Sequence, residues 1–194
     1  TVLHRQKFPR SAPKSRFNLI QKQSSALIPS GGTAFLKTIM INKIVQPSHI
    51  PPPLKEWNHW VGWFAEQKDN ERLNKIPKNA KTGLAAKSNY SLTWSTFEEA
   101  VAYIQARSQN HGIGFVFSQN DPFLGIDLDD CRKAETGEIA EWAQELIGIC
   151  DSYTEISPSG TGVKIFLIGQ KPAGRCSQGF QTGKVEMYDK GRFF

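Results

Sequence analysis

The sequence predicts an α+β fold, a mixed and largely antiparallel sheet with flanking helices. Three observations predict it. Short apolar runs bounded by turn formers recur along the chain: GIGFVFS (112–118), FLGIDLD (123–129), SYTEIS (152–157), VKIFLIG (163–169), KVEMYD (184–189) and GRFF (191–194). Two segments carry apolar residues at helical spacing. The order of these elements does not alternate strand and helix as a parallel βαβ sheet requires.

The elements follow in order. Residues 1–39 are rich in Ser, Lys, Arg and Gln with no sustained period, and read as a basic, disordered tail. Met40 opens ordinary soluble sequence, so the tail reads as an upstream translated stretch or solvated arm. A nucleic-acid-binding arm and a transit peptide are its functional alternatives. Residues 40–55, ending in HIPPPLK, form a proline-stiffened lead-in. EWNHWVGWF then sets Trp57, Trp60 and Trp63 three apart, on one helical face or on a covered strand, as core rather than as a base-stacking platform. KIPKNAKTGLAAKSN (75–89) reads as a hairpin or loop. In STFEEAVAYIQAR, Ser95 and Glu98 form a capping box that starts a helix over about 96–107. The runs 112–118 and 123–129, joined by QNDP, read as an antiparallel hairpin. Ile139, Trp142, Ala143, Leu146, Ile147 and Cys150 recur at helical spacing and predict a buried helix over about 136–150. The chain stops inside an apparent strand at Phe193-Phe194, so the natural parent is expected to be longer.

Composition narrows the function. The net charge of +6 resembles a nucleic-acid footprint, but seven Lys/Arg and no Asp/Glu fall in residues 1–39, leaving 17 basic and 18 acidic residues beyond. The remainder is thus nearly neutral, and any grip on DNA has to come from local sites. No apolar run reaches the roughly 18 residues of a membrane span. Cys131, Cys150 and Cys176 lack a CxxC spacing and read as reduced thiols of a cytosolic protein. His4, His49, His59 and His111 are scattered, which disfavours a histidine-built zinc site.

The chemistry is expected in three places. On a strand, residues two apart share a face, so Asp127 and Asp129 project together while Leu128 faces the core. Two such carboxylates repel unless a cation lies between them. The pair therefore suits two divalent ions about 4 Å apart, as in phosphoryl transfer. The alternative is that Asp129 and Asp130 merely end the strand. In SPSGTGVKIF, Ser159, Gly160, Thr161 and Gly162 make a tight turn whose N–H groups and hydroxyls can cradle phosphates, and Lys164 adds a cation. The GK[ST] ending of a P-loop is missing, and a plain hairpin turn is the competing reading. Glu186, on the alternating strand KVEMYD, can complete a three-carboxylate metal site or simply face solvent. Asp189 begins a turn and is explained by capping it.

These three motifs, in this order and ahead of GRFF, resemble the archaeo-eukaryotic primase superfamily, specifically the primase-polymerase branch of phage and plasmid replication proteins. The resemblance runs from Trp57 to Phe194 and includes NKIPKNAKTG and TWSTFEEA. It implies that residues 56–194 form a catalytic domain with an RRM-like core. It implies Asp127, Asp129 and Glu186 as catalytic ligands of a two-metal Mg²⁺ or Mn²⁺ site, and Ser159 as the serine of the second motif. Lys164 stands where the superfamily usually has histidine. That substitution keeps a cation for phosphate but gives up a neutral state. Lys78, Lys81 and Arg192 are candidates for phosphate contacts, with plain surface positions as the alternative. The implied partners are a DNA template and primer, nucleoside triphosphates and a C-terminal helicase domain on the same chain. The implied setting is the cytoplasm of a bacterial or phage-infected cell. Two rivals stand beside this reading. One is a haloacid-dehalogenase-type phosphotransferase, whose DxDxT pattern fails here at Cys131. The other is a non-catalytic module that binds nucleic acid or a replication partner.

Overall fold

The computed structural model describes residues 45–66, 74–107 and 110–194. The basic tail, and the readings made for it, lie outside the described residues. The elements are α1 (Pro52–Lys55), β1 (Trp60–Glu66), β2 (Asn74–Lys78), α2 (Phe97–Gln105), β3 (His111–Phe117), β4 (Phe123–Asp129), α3 (Glu141–Cys150), β5 (Thr154–Ile156), β6 (Val163–Ile168), β7 (Ser177–Phe180), β8 (Gly183–Tyr188) and β9 (Arg192–Phe193). Strands β2-β1-β3-β9 make one sheet and β5-β6-β4-β8-β7 a second. Every pairing between these strands is antiparallel. The predicted α+β class is what the chain adopts.

The predicted hairpin between β3 and β4 is corrected by this arrangement. The turn forms, because Asp121 accepts from the N–H groups of Ser118 (2.7 Å) and Phe123 (2.9 Å). The strands nonetheless part. Strand β3 finds its neighbours in β1 and β9, and β4 finds its own in β6 and β8. Five residues separate the two strands, more than the two-residue turns that hold a hairpin in register.

Other boundaries shift for local reasons. Helix α2 is capped by Thr96, not Ser95: Thr96 Oγ1 accepts from Glu99 N–H (3.2 Å), and Glu99 Oε2 accepts from Thr96 N–H (2.8 Å). Ser95 is occupied elsewhere, exchanging backbone bonds with Trp60 and accepting from Ala80 N–H through its hydroxyl. Helix α3 starts at Glu141 rather than near 136, because Gly137 is left-handed (φ 77°) and belongs to a turn closed by the Arg132–Ile139 bridge. The predicted loop at 75–89 contributes β2 through its first residues. The tryptophans are core: Trp60 and Trp63 are buried on opposite faces of β1. Their indole N–H groups donate to Leu54 O (3.1 Å) and Ile113 O (2.9 Å).

Two apolar layers position the site. One face of the second sheet (Ile126, Leu128, Val163, Ile165) packs on Trp142 and Ala143 of α3. The other face carries Phe123 and Phe166 into a cluster with Phe115, Phe117 and Phe194, which joins the two sheets. Gly125 lies under that cluster. A Cβ placed there would come within 2.5 Å of both Phe117 and Phe194 rings. Gly125→Val is therefore expected to destabilise the fold by about 1–3 kcal/mol through overpacking, read as a lower urea midpoint with an unchanged m-value.

Candidate functional site: a charged row across the second sheet

Register places the charged residues side by side. Across the sheet, Glu155 pairs with Lys164, Lys164 with Asp127, and Asp127 with Glu186. One step along, Asp129 pairs with Lys184. Side-chain alternation puts all six on the face away from α3. Asp127, Lys164 and Glu186 are buried, which sets strong demands on their pairing.

Those demands are met by cations. Lys164 Nζ donates to Asp127 Oδ2 and lies 4.0 Å from the centroid of the Phe194 ring. Asp127 Oδ1 is buried and has no partner. Lys184 Nζ lies 2.7 Å from Glu186 Oε1 and 3.0 Å from Asp129 Oδ2. Tyr188 donates its hydroxyl to Glu186 Oε2 (3.1 Å), and Arg192 approaches the same oxygen at 3.8 Å. Burial pushes the Glu186 carboxyl up, but Lys184, Tyr188 and Arg192 outweigh it and hold the group below the ordinary carboxylate range. Burial raises the Glu155 carboxyl, opposed by the Tyr153 hydroxyl and the charges of Lys164 and Lys75. Among the described residues, no three Asp, Glu, His or Cys side chains converge closely enough to hold a metal ion as they stand.

The glycine turn is tied to the end of β4. Cys131 and Arg132 N–H groups donate to Thr161 O (3.0 and 2.9 Å), and Arg132 Nη1 donates to Gly160 O (2.6 Å). Gly160 is left-handed (φ 79°), and a Cβ on Gly162 would meet Leu128 O at 2.7 Å. The turn's N–H groups are largely engaged internally: Gly160 N–H bonds Ser157 O, and Gly162 N–H bonds Ser157 Oγ. From the buried Ser157 a hydroxyl chain leads outward through Ser159 to Thr161, with oxygen spacings of 2.9 and 3.0 Å. The turn thus presents hydroxyls more than free backbone amides.

The other candidates divide. Arg192 reaches the row from β9. Lys78 pairs with Gly62 at the end of β2, and Lys81 makes an exposed ion pair with Glu99 (3.4 Å) at the start of α2. Among the described residues, no ion pair joins either to the charged row. Asp189 accepts from Lys171 N–H (3.0 Å) and holds a loop, as a turn residue would. Asp130 is left-handed (φ 54°) and ends β4. Cys131 is buried, and burial pushes its thiol up to about 11.

Sequence reasoning missed Lys75, Lys184 and Glu155. Lys184 was legible, because it alternates with Glu186 on one strand. Lys75 was not, because it belongs to the other sheet. Its ammonium is pushed down to about 8, first by burial and then by Lys164 and Arg192, with Asp127 and Glu155 pulling the other way. A depressed lysine pKa penalises the fold below pH 8, and stability recovers as pH rises from 8 toward the unfolded value. Lys75→Met is expected to be more stable than wild type at pH 7, by on the order of 2 kcal/mol after screening. The difference should vanish above roughly pH 10.5. Chemical denaturation of both proteins across pH 7–10.5 checks it. Cys131 pulls oppositely above pH 9 in both proteins, so the difference between them isolates Lys75.

No protein-family model matches the chain. Over 144 residues it is 36% identical to the DNA Primase-polymerase of Nitratiruptor phage NrS-1, covering 73% of this chain. The chain is similar to a primase-polymerase. It spans 20% of the length of that primase-polymerase.

Proposed function

We propose that this chain is the catalytic part of a DNA primase-polymerase of the archaeo-eukaryotic primase superfamily. It would join nucleoside triphosphates to a DNA-templated 3′ end in phage- or plasmid-type replication. The observation that carries the reading is the register Lys164–Asp127–Glu186, with Asp129 on the same face, beside the hydroxyl-lined turn. The donor set fits Mg²⁺ or Mn²⁺: hard carboxylate oxygens from Asp127, Asp129 and Glu186, one of them (Asp127 Oδ1) buried and without a partner. Bound there, the ions would supply Lewis-acid stabilisation and a more acidic 3′-hydroxyl. The chain's own groups bind and orient. Ser159 and Thr161 offer hydroxyls to phosphate oxygens, Arg192 and Lys75 offer charge from the first sheet, and Lys164 orients Asp127 through its ion pair. A helicase partner domain and a primed template are parts of the same proposal. Among the described residues, no helix is long and apolar enough to cross a membrane.

Extension of a labelled primer by the full-length parent tests this, with dNTPs and Mg²⁺ or Mn²⁺. Incorporation that is lost in Asp127→Ala/Asp129→Ala supports the reading, and incorporation indifferent to that double change overturns it. A second reading has one observation in its favour: Lys164 and Lys184 between them make ion pairs with all three carboxylates. That suits a non-catalytic DNA-binding module, which would retain labelled DNA without extending it.

A further inference from the structure

Lys184 opens the alternation of β8 directly across from Asp129 and two residues before Glu186. Its single ammonium spans one carboxylate from each of two neighbouring strands, at 3.0 and 2.7 Å. Bridging two carboxylates from adjacent strands is what a divalent ion bound by hard oxygens does. The third carboxylate, Asp127, keeps one oxygen buried and unpartnered beside this bridge. The two lysines of the site differ in freedom. Lys164 has a side chain 4% exposed and lies over the Phe194 ring, whereas Lys184 is 35% exposed. A lysine at that exposure has a flexible four-carbon stem and a path into solvent.

The geometry points to Lys184 as a tethered competitor of the divalent ion, one that holds Asp129 and Glu186 until the metal displaces it. This rests on the proposal that the three carboxylates bind metal. Loading then exchanges an ammonium on the chain for an ion from solution. Any conformer in which Lys184 bridges the two carboxylates is not competent to bind, so the apparent affinity falls by the competent fraction. Lys164 has no such role, since leaving Asp127 would bury an unpaired charge.

Mn²⁺ titration of the full-length protein without nucleotide tests this, with free Mn²⁺ followed by electron paramagnetic resonance. Wild type, Lys184→Met, Lys184→Arg and Asp127→Asn/Asp129→Asn are compared. The expected result is about tenfold tighter binding in Lys184→Met, near-wild-type binding in Lys184→Arg, and loss of the site in the aspartate double variant. Lys184→Gln keeps a polar side chain without the charge and gives the same reading should the methionine variant fail to fold. Unchanged or weaker Mn²⁺ binding in Lys184→Met and Lys184→Gln, with the aspartates still required, overturns the competitor role and leaves the metal reading standing. Absence of aspartate-dependent Mn²⁺ binding in every protein overturns both.

Discussion

Asp129→Asn is expected to lower DNA-templated nucleotide incorporation by on the order of 10⁴-fold, the scale on which removing one member of a cooperating catalytic set acts. Its melting temperature should fall by no more than about 4 °C. The two halves of this expectation have separate physical grounds. Asparagine matches the carboxylate in shape but offers one neutral carbonyl oxygen to a cation, so charge is lost where hard ligands are needed. The stability cost is small because Asp129 is partly exposed and its partner Lys184 is 35% exposed. Pairs of that kind contribute about 0–1 kcal/mol, which is a few degrees at most in a domain of this size. Asp129 is therefore a cleaner probe than Asp127, whose replacement also strands a buried lysine. Primer extension and differential scanning calorimetry on the same preparation check both halves. Full incorporation by a folded Asp129→Asn protein would remove Asp129 from the active set.

Lys164→Met is expected to cost about 3–5 kcal/mol of folding stability, because it leaves the Asp127 carboxylate buried without a counter-ion. Asp127 already has one oxygen without a partner, so the loss of Lys164 would strip the other as well. The methionine fills much of the lysine stem's volume, and the penalty is therefore electrostatic rather than a cavity. Asp127→Asn should be destabilising in the mirror sense, stranding the ammonium over Phe194. The double variant Asp127→Asn/Lys164→Met removes both charges and should recover most of the loss, giving a coupling energy of several kcal/mol in a double-mutant cycle. Urea denaturation of the four proteins measures it. Additive losses would mean that the two groups do not depend on each other.

Much of this was legible in the residues, and the limits have a physical pattern. The shared face of Asp127 and Asp129 follows from strand alternation alone, as does the position of Glu186 opposite Val185 and Met187. The stripe Trp142, Ala143, Leu146, Ile147 and Cys150 marked α3, since helical spacing is a local property. What was not legible is which strand lies beside which. Nothing in GIGFVFS or FLGIDLD says that these neighbours in sequence join different sheets. That outcome depends on Phe194 bonding back to Phe115 and on β6 and β8 claiming both edges of β4. Lys164, read in the sequence as a cation for phosphate, pairs with a carboxylate because the register set by β6 puts it opposite Asp127. Lys75 enters the site only through the packing of one sheet against the other. Face is written in the local alternation, whereas partnership depends on pairings far apart in the chain.

The shortest strand has a consequence for how the molecule comes together. Strand β9 is hydrogen-bonded into the first sheet, yet Arg192 and Phe194 at its two ends touch Glu186 and Lys164 of the second. On a ribosome, β1 to β8 can emerge and begin to pair while Phe117 and Phe166 still lack the ring that packs against both. The charged row would then sit beside an open apolar gap, with Lys164 unshielded. Closure waits for β9, so assembly of the site follows the pairing of the strands on either side of it.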